Sequence, residues 1–257
     1  EFGLFVSFDN GRHWQPFQQN LPNTPVTDIS VHRKDLVLAT MGRSFWIMDN
    51  VSLLHQLASR HELVMRSEAY LFQPRETYRM RYSPTGASPD QPQYPPPGAI
   101  IDYYLAGEPA GELKLEILDG KGSLVRAFAA QATTAGAAVQ PPSMMGRRGG
   151  GGGAPLVKRE WHNRFVWDLR YGAAAGAAGP LVVPGSYQVR LSAGEWSQSR
   201  PLEVRIDPRV AAEGVTQADL QEQLDLALKV RDAIAEARAL GSKLAAAHQA
   251  AQPGSGN

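Results

Sequence analysis

Few residues in this chain have the type and spacing that chemistry demands. The six histidines are His13, His32, His55, His61, His162 and His248, and no two stand at the spacing of a metal-binding pair. His55 and His61 are too far apart to share a helix face as i,i+4 ligands. No Gly-x-Ser-x-Gly nucleophile elbow occurs. Acidic residues are scattered without a distinctive pair for glycoside chemistry. With no cysteine, thiol catalysis, thiolate metal sites and disulfides are excluded. Gly149–Gly153 is an unbroken glycine run, but it lacks the spacing and the Lys-Ser/Thr of a phosphate loop. The reading is of a chain with no catalytic residues, no metal and no cofactor.

The densest local pattern is Ser7-Phe8-Asp9-Asn10-Gly11-Arg12-His13-Trp14. Its physics is that of a turn. The Asp9 carboxylate can accept backbone N–H groups, Gly11 tolerates a positive φ, and the Trp14 ring can pack against neighbouring strands. The Ser-x-Asp-x-Gly-x-x-Trp arrangement resembles the Asp-box of sialidase-type and sortilin-type β-propellers. In that family the box is structural and lies away from the active centre, so Ser7, Asp9, Gly11 and Trp14 are expected to stabilise a turn. Gly42-Arg43-Ser44-Phe45-Trp46-Ile47-Met48-Asp49 resembles the ending of the last blade in large bacterial BNR-repeat, glycosyl-hydrolase-like proteins. The resemblance allows Arg43 and Trp46 a place on a ligand surface. An ion pair of Arg43, with Asp49 as one candidate partner, is the structural alternative.

The elements around these motifs are short strands. Phe2–Phe8, Trp14–Phe17, Val26–Val31, Asp35–Thr40 and Ser44–Met48 follow one another, separated by turn chemistry such as Asp9-Asn10-Gly11. That density matches one propeller blade, which cannot bury both of its faces alone. The opening Glu1-Phe2-Gly3 reads like the middle of a domain, so a fragment or processed piece is expected. Val51–Leu57 suggests a short helical turn, and Ala69–Phe72 a closing or edge strand. The expected organisation is a blade over residues 1–74 and a Pro-rich linker over 75–98. A β-sandwich over 99–208 follows, with a mobile Gly-rich loop at 129–155, and then a helix with a frayed tail over 209–257.

Period-two alternation is clearest in Trp161–Tyr171, then in Tyr187–Leu191 and Leu202–Ile206. Trp161, Phe165, Trp167 and Tyr187 are expected in the sandwich core, with sugar stacking as the less favoured use of the aromatic rings. Trp167-Asp168 followed by Pro184-Gly185-Ser186-Tyr187 resembles the central strands of Ig-like modules of the flagellar-hook-cap and fibronectin-III-like type. The fold class is therefore mainly β: a terminal propeller blade, an antiparallel Ig-like sandwich and a long C-terminal helix. That helix opens at Thr216-Gln217-Ala218-Asp219 and carries Leu220, Leu224, Ala227, Val230, Ile234, Ala237, Leu240 and Leu244 at nearly coiled-coil spacing.

Lys and Arg total 26 and Asp and Glu 25, a net charge of +1 that makes no case for nucleic acid. No apolar run is long enough to span a membrane. The resemblance implies an exported protein, secreted, periplasmic or at the cell surface. The leading expectation is a non-catalytic structural and binding portion that supports carbohydrate or protein recognition. Its partners would be the remainder of a propeller, on the same parent chain or on another, and a carbohydrate or protein ligand. Two alternatives remain open: a fragment of a sialidase-like or xyloglucanase-like glycoside hydrolase whose catalytic groups lie in other blades, and a scaffold that self-associates through its helix.

Overall fold

A computed structural model describes residues 3–81, 97–130, 155–172 and 178–251. Most of the Pro-rich linker and most of the Gly-rich loop lie outside the described residues. The protein is mainly β, with a curled half-barrel of sheet and a C-terminal helix.

The half-barrel has two walls. One is the five-stranded sheet β10-β9-β12-β13-β7, with β7 at Thr77–Arg79, β9 at Leu113–Leu118, β10 at Leu124–Ala129, β12 at Gly185–Ala193 and β13 at Trp196–Ile206. The other is the three-stranded sheet β11-β8-β6, with β6 at Ala69–Leu71, β8 at Ala99–Leu105 and β11 at Trp161–Trp167. Alternation aims Ile101, Tyr103 and Leu105 inward from the smaller sheet, against Leu113, Leu115 and Ile117 from the larger. All six are essentially inaccessible to solvent, as are Phe165 and Trp167. Trp167 packs edge-on against Tyr187 at 5.8 Å, and its indole Nε1 donates to the Arg170 carbonyl at 3.1 Å. The Tyr187 hydroxyl donates to the Val183 carbonyl at 2.7 Å. Both polar tips are thus satisfied inside an apolar core.

Trp161 departs from the expected core set. It is 58 % exposed, whereas Asn163, Phe165 and Trp167 at the following odd positions are buried. The reason is local. Trp161 has φ +74°, which turns its side chain off the inward face. The ring instead packs edge-on against Tyr104, on the outer face of the sheet. Asn163 holds the strand entrance through its amide, which donates to the Arg159 and Trp161 carbonyls.

Residues 69–79 also differ from the expected organisation. β6 lies in the stretch assigned to the blade, yet it pairs antiparallel with β8. β7 lies in the stretch assigned to the linker, yet it pairs parallel with β13. Between the two walls, Gln198 on β13 accepts the Leu71 N–H at 2.7 Å, and Arg200 donates to the Leu71 carbonyl at 3.0 Å. Side chains thereby finish a seam where backbone pairing stops.

The expected short turn after Val51 is a helix of 15 residues, α1, Ser52–Arg66. It packs Leu53, Leu57 and Val64 against Tyr70, Phe72 and Tyr104 on the outer face of the smaller sheet. That burial sustains a helix whose sequence signal is weak. A short helix, α2 (Pro208–Ala212), leads to α3 (Gln217–Ala251), which opens with a reciprocal cap. Asp219 accepts the Thr216 N–H at 2.8 Å, and the Thr216 hydroxyl oxygen accepts the Asp219 N–H at 3.2 Å. Leu220 and Leu224 are buried, whereas Leu226, Val230, Leu240 and Leu244 are exposed. Among the described residues no helix is long and apolar enough to cross a membrane.

Candidate functional site

The motif around Asp9 forms the turn between β1 (Phe5–Val6) and β2 (Gln15–Pro16). Asn10 and Gly11 both take positive φ, at +58° and +83°, which a glycine and an asparagine accommodate with least strain. The Ser7 hydroxyl donates to Asp9 Oδ1 at 2.9 Å and accepts the Gly11 N–H at 2.7 Å. Asp9 Oδ1 also accepts the His13 N–H at 2.9 Å. Asp9 Oδ2 meets His13 Nδ1 in a close hydrogen-bond contact. The His13 backbone N–H and then its side chain hold the Asp9 carboxyl down to about 2. Trp14 Nε1 donates to the Gly11 carbonyl at 3.0 Å, and the ring folds back over Gly11, 64 % exposed. The expected turn chemistry is thus present in Ser7, Asp9 and Gly11. The Trp14 ring lies on its own turn, with most of its surface uncovered. His13, whose side chain is exposed, is the second partner of Asp9.

Beside the hairpin stands a sheet of β3 (Val26–His32), β4 (Asp35–Thr40) and β5 (Phe45–Met48). Its register puts Ile29, Leu38 and Trp46 in one row and Val31, Leu36 and Met48 in the next row on the same face. The opposite face carries Val37 with Ile47 and Ala39 with Phe45. The first face is therefore apolar, and the second is mixed, because Ser30 and Asp28 of β3 complete its rows. Both are partly open: Val31 is 67 % exposed on one face, where the central Leu38 is buried, and Phe45 is 74 % exposed on the other.

Arg43 and Trp46 are joined differently from the expected ion pair. The Arg43 side chain is exposed, and its carbonyl accepts Trp46 Nε1 at 2.9 Å. The pair locks the β4–β5 turn. Beside this sheet Arg75 finds a carboxylate, with its Nη1 2.5 Å from Asp35 Oδ1. Arg75 also donates to the Arg33 carbonyl, and Asp35 accepts the Asn50 N–H, tying this sheet to the entrance of α1. Asp49 is pushed upward by burial and then by the nearby Asp35, with Arg75 and Arg164 acting against that shift.

A second polar group sits on the outer face of the smaller sheet of the half-barrel. Asp102 is buried and accepts His162 Nε2 at 2.9 Å and Arg164 Nε at 2.8 Å. Burial works to raise its pKa, but the hydrogen bonds from His162 and Arg164 and their charge prevail and hold it low. The cross-strand pairing Arg164↔Asp102 produces this contact. Alternation alone marks His162 and Arg164 as outward, so the signal was present, but the partner strand was not legible. The group has a carboxylate held by one arginine and one histidine, with no nucleophile in hydrogen-bond contact, the arrangement of a structural cluster. Among the described residues, no group of three or more His, Asp or Glu side chains is placed to hold a metal ion.

Comparison with known protein families, with curated proteins and with solved structures finds no match for this chain.

Proposed function

We propose that this chain is a non-catalytic structural and binding portion of an exported Asp-box propeller protein. In this reading residues from the Asp9 hairpin to β5 are a blade, the half-barrel is an Ig-like accessory module, and the whole supports carbohydrate or protein recognition. The observation that carries the proposal is the β3–β5 sheet, which leaves Ile29 and Val31 exposed on one face and Phe45 and Ile47 exposed on the other. Exposed apolar surface of that extent marks an interaction site, and a blade flanked by other blades buries both of its faces. The hydrogen-bonded turn of Ser7, Asp9 and Gly11 supports the same reading, because it performs the structural task expected of an Asp-box.

Sedimentation analysis of the chain and of a Phe45→Lys/Ile47→Lys variant tests this. Phe45 and Ile47 are 74 % and 61 % exposed, so the double change alters the melting temperature by about 2 °C at most. It weakens the concentration-dependent association and the binding of an apolar dye expected of the parent. A parent that stays monomeric and binds no dye, or that cleaves aryl glycosides, sialosides or xyloglucan by itself, overturns the proposal.

A second reading is favoured by α3. Leu226, Val230, Ile234, Leu240 and Leu244 remain exposed along a helix anchored at Leu220 and Leu224. An apolar stripe of this kind suits self-association through a helix pair. Leu226→Glu/Val230→Glu would separate this mode from the sheet mode, because each variant removes one contact and leaves the other.

A further inference from the structure

A cleft of about 540 Å³ opens between α1, the β3–β4 turn, residues 73–75 and β13. Its walls collect positive charge from Lys34, Arg60, Arg75 and Arg200, and no carboxylate is among its described lining residues. Arg75 is neutralised by Asp35. Lys34, Arg60 and Arg200 have no carboxylate partner among the described residues. Arg60 Nη1 and Arg200 Nη2 both donate to the Tyr70 hydroxyl, each at 3.1 Å. Two guanidinium groups thus converge on one hydroxyl oxygen, with no carboxylate to balance their charge. Such convergence is the arrangement that recognises an oxyanion, because the planar donor forks match phosphate, sulfate and carboxylate oxygens.

The arginines are held in place. Arg200 stacks on the Tyr70 ring, with its guanidinium carbon 5.4 Å from the ring centroid, and donates to the Leu71 carbonyl. Arg60 sits where α1 breaks its helical path, at φ −137° and ψ 18°. Lys34 lies in the tight turn between β3 and β4, whose backbone is pinned by the Val51 N–H bond to the Lys34 carbonyl at 2.8 Å. The polar wall is equally fixed. The Gln56 amide pairs with both backbone groups of Gln73, at 2.8 and 3.1 Å. His55 and Ser59 add hydrogen-bonding groups along the same face of α1. A preset site loses less entropy on binding.

We propose that this cleft binds a small organic oxyanion, a phosphate, sulfate or carboxylate group on a hydroxylated body such as a sugar. Arg60, Arg200 and Lys34 meet the anionic group, and Ser59, His55 and Gln56 meet hydroxyls. The volume falls in the range of small-molecule sites and is far larger than a lone inorganic anion needs. The inference is independent of the propeller reading, since it requires neither β1, β2 nor an open blade face.

Calorimetric titration of the full chain tests it with glucose 6-phosphate, glucose 6-sulfate and glucuronate as probes. Glucose and inorganic phosphate serve as controls. At least one anionic sugar binds, more weakly as salt rises, and glucose does not. Arg60→Gln weakens that binding about tenfold or more and Lys34→Gln about threefold, from the loss of charge-assisted hydrogen bonds. Both side chains are exposed, so both variants retain the parent melting temperature. Arg200→Gln is informative when folded, and the other two variants decide the matter when it is not. The proposal is overturned if no anionic sugar binds at about 10 mM, a concentration beyond weak millimolar affinity. It is equally overturned if the Arg60 and Lys34 variants bind as the parent does, or if inorganic phosphate binds as tightly as the sugar phosphate.

Discussion

Asp102→Asn removes the one anion shared by His162 and Arg164 while keeping the shape of the side chain. Asp102 is 5 % exposed at its side chain, whereas Arg164 and His162 are 41 % and 48 % exposed. Breaking a fully buried ion pair costs about 3–5 kcal/mol, because the orphaned charge cannot reach water. Here the Arg164 guanidinium and the His162 ring can both turn toward solvent, which reduces the expected cost to about 1–3 kcal/mol. For a protein of this size that lowers the melting temperature by roughly 2–10 °C, read by calorimetry near neutral pH. The pH dependence gives a second check. The folded-state carboxyl titrates below its ordinary value, so its stabilisation is present above about pH 4 and is lost as pH falls through the depressed pKa. The gap between parent and variant therefore narrows on acidification. A double-mutant cycle with Arg164→Met should assign about half or more of the loss to that pair, given its two-point contact. An Asp102→Asn variant as stable as the parent at neutral pH, or a gap that persists unchanged at pH 3, refutes the reasoning.

Gly98→Ala addresses the entrance to β8. Gly98 has φ +142°, and an added Cβ would stand 2.2 Å from the Trp167 carbonyl oxygen. The clash and the backbone strain together cost about 2–4 kcal/mol, measured by denaturant unfolding, and an unchanged midpoint would contradict the close approach. In the β3–β4 turn Arg33 and Lys34 take φ of +48° and +70°, which the mirror-image hairpin turn requires and ordinary side chains resist. Arg33→Asn/Lys34→Gly should raise stability by about 1 kcal/mol in the same assay, and a loss would show that the side chains hold the turn.

Several elements were legible because their signals are local. The strands from Val26 to Met48 follow from alternation and turn residues, and the cap of α3 follows from Thr216 and Asp219 three positions apart. The Ser7-Asp9-Gly11 turn is equally local, since all of its hydrogen bonds close within a few residues. Trp161 shows where alternation fails: a single positive φ moves one ring to the opposite face, and nothing in the neighbouring residue types announces it. Helix α1 was underestimated because its length depends on burial against Tyr70, Phe72 and Tyr104, which lie beyond its own sequence.

The partners across long separations belong to the tertiary structure. Arg75 meets Asp35 from 40 residues away, and Arg200 meets Tyr70 from 130. Sequence by itself determined a mainly β chain with a striped terminal helix, because side-chain period and turn chemistry act over a few residues. Only folding decided that β6 and β7 join the half-barrel and that Lys34, Arg60 and Arg200 share one cleft. Those choices rest on which apolar faces bury each other, and charges are carried to their neighbours by that packing.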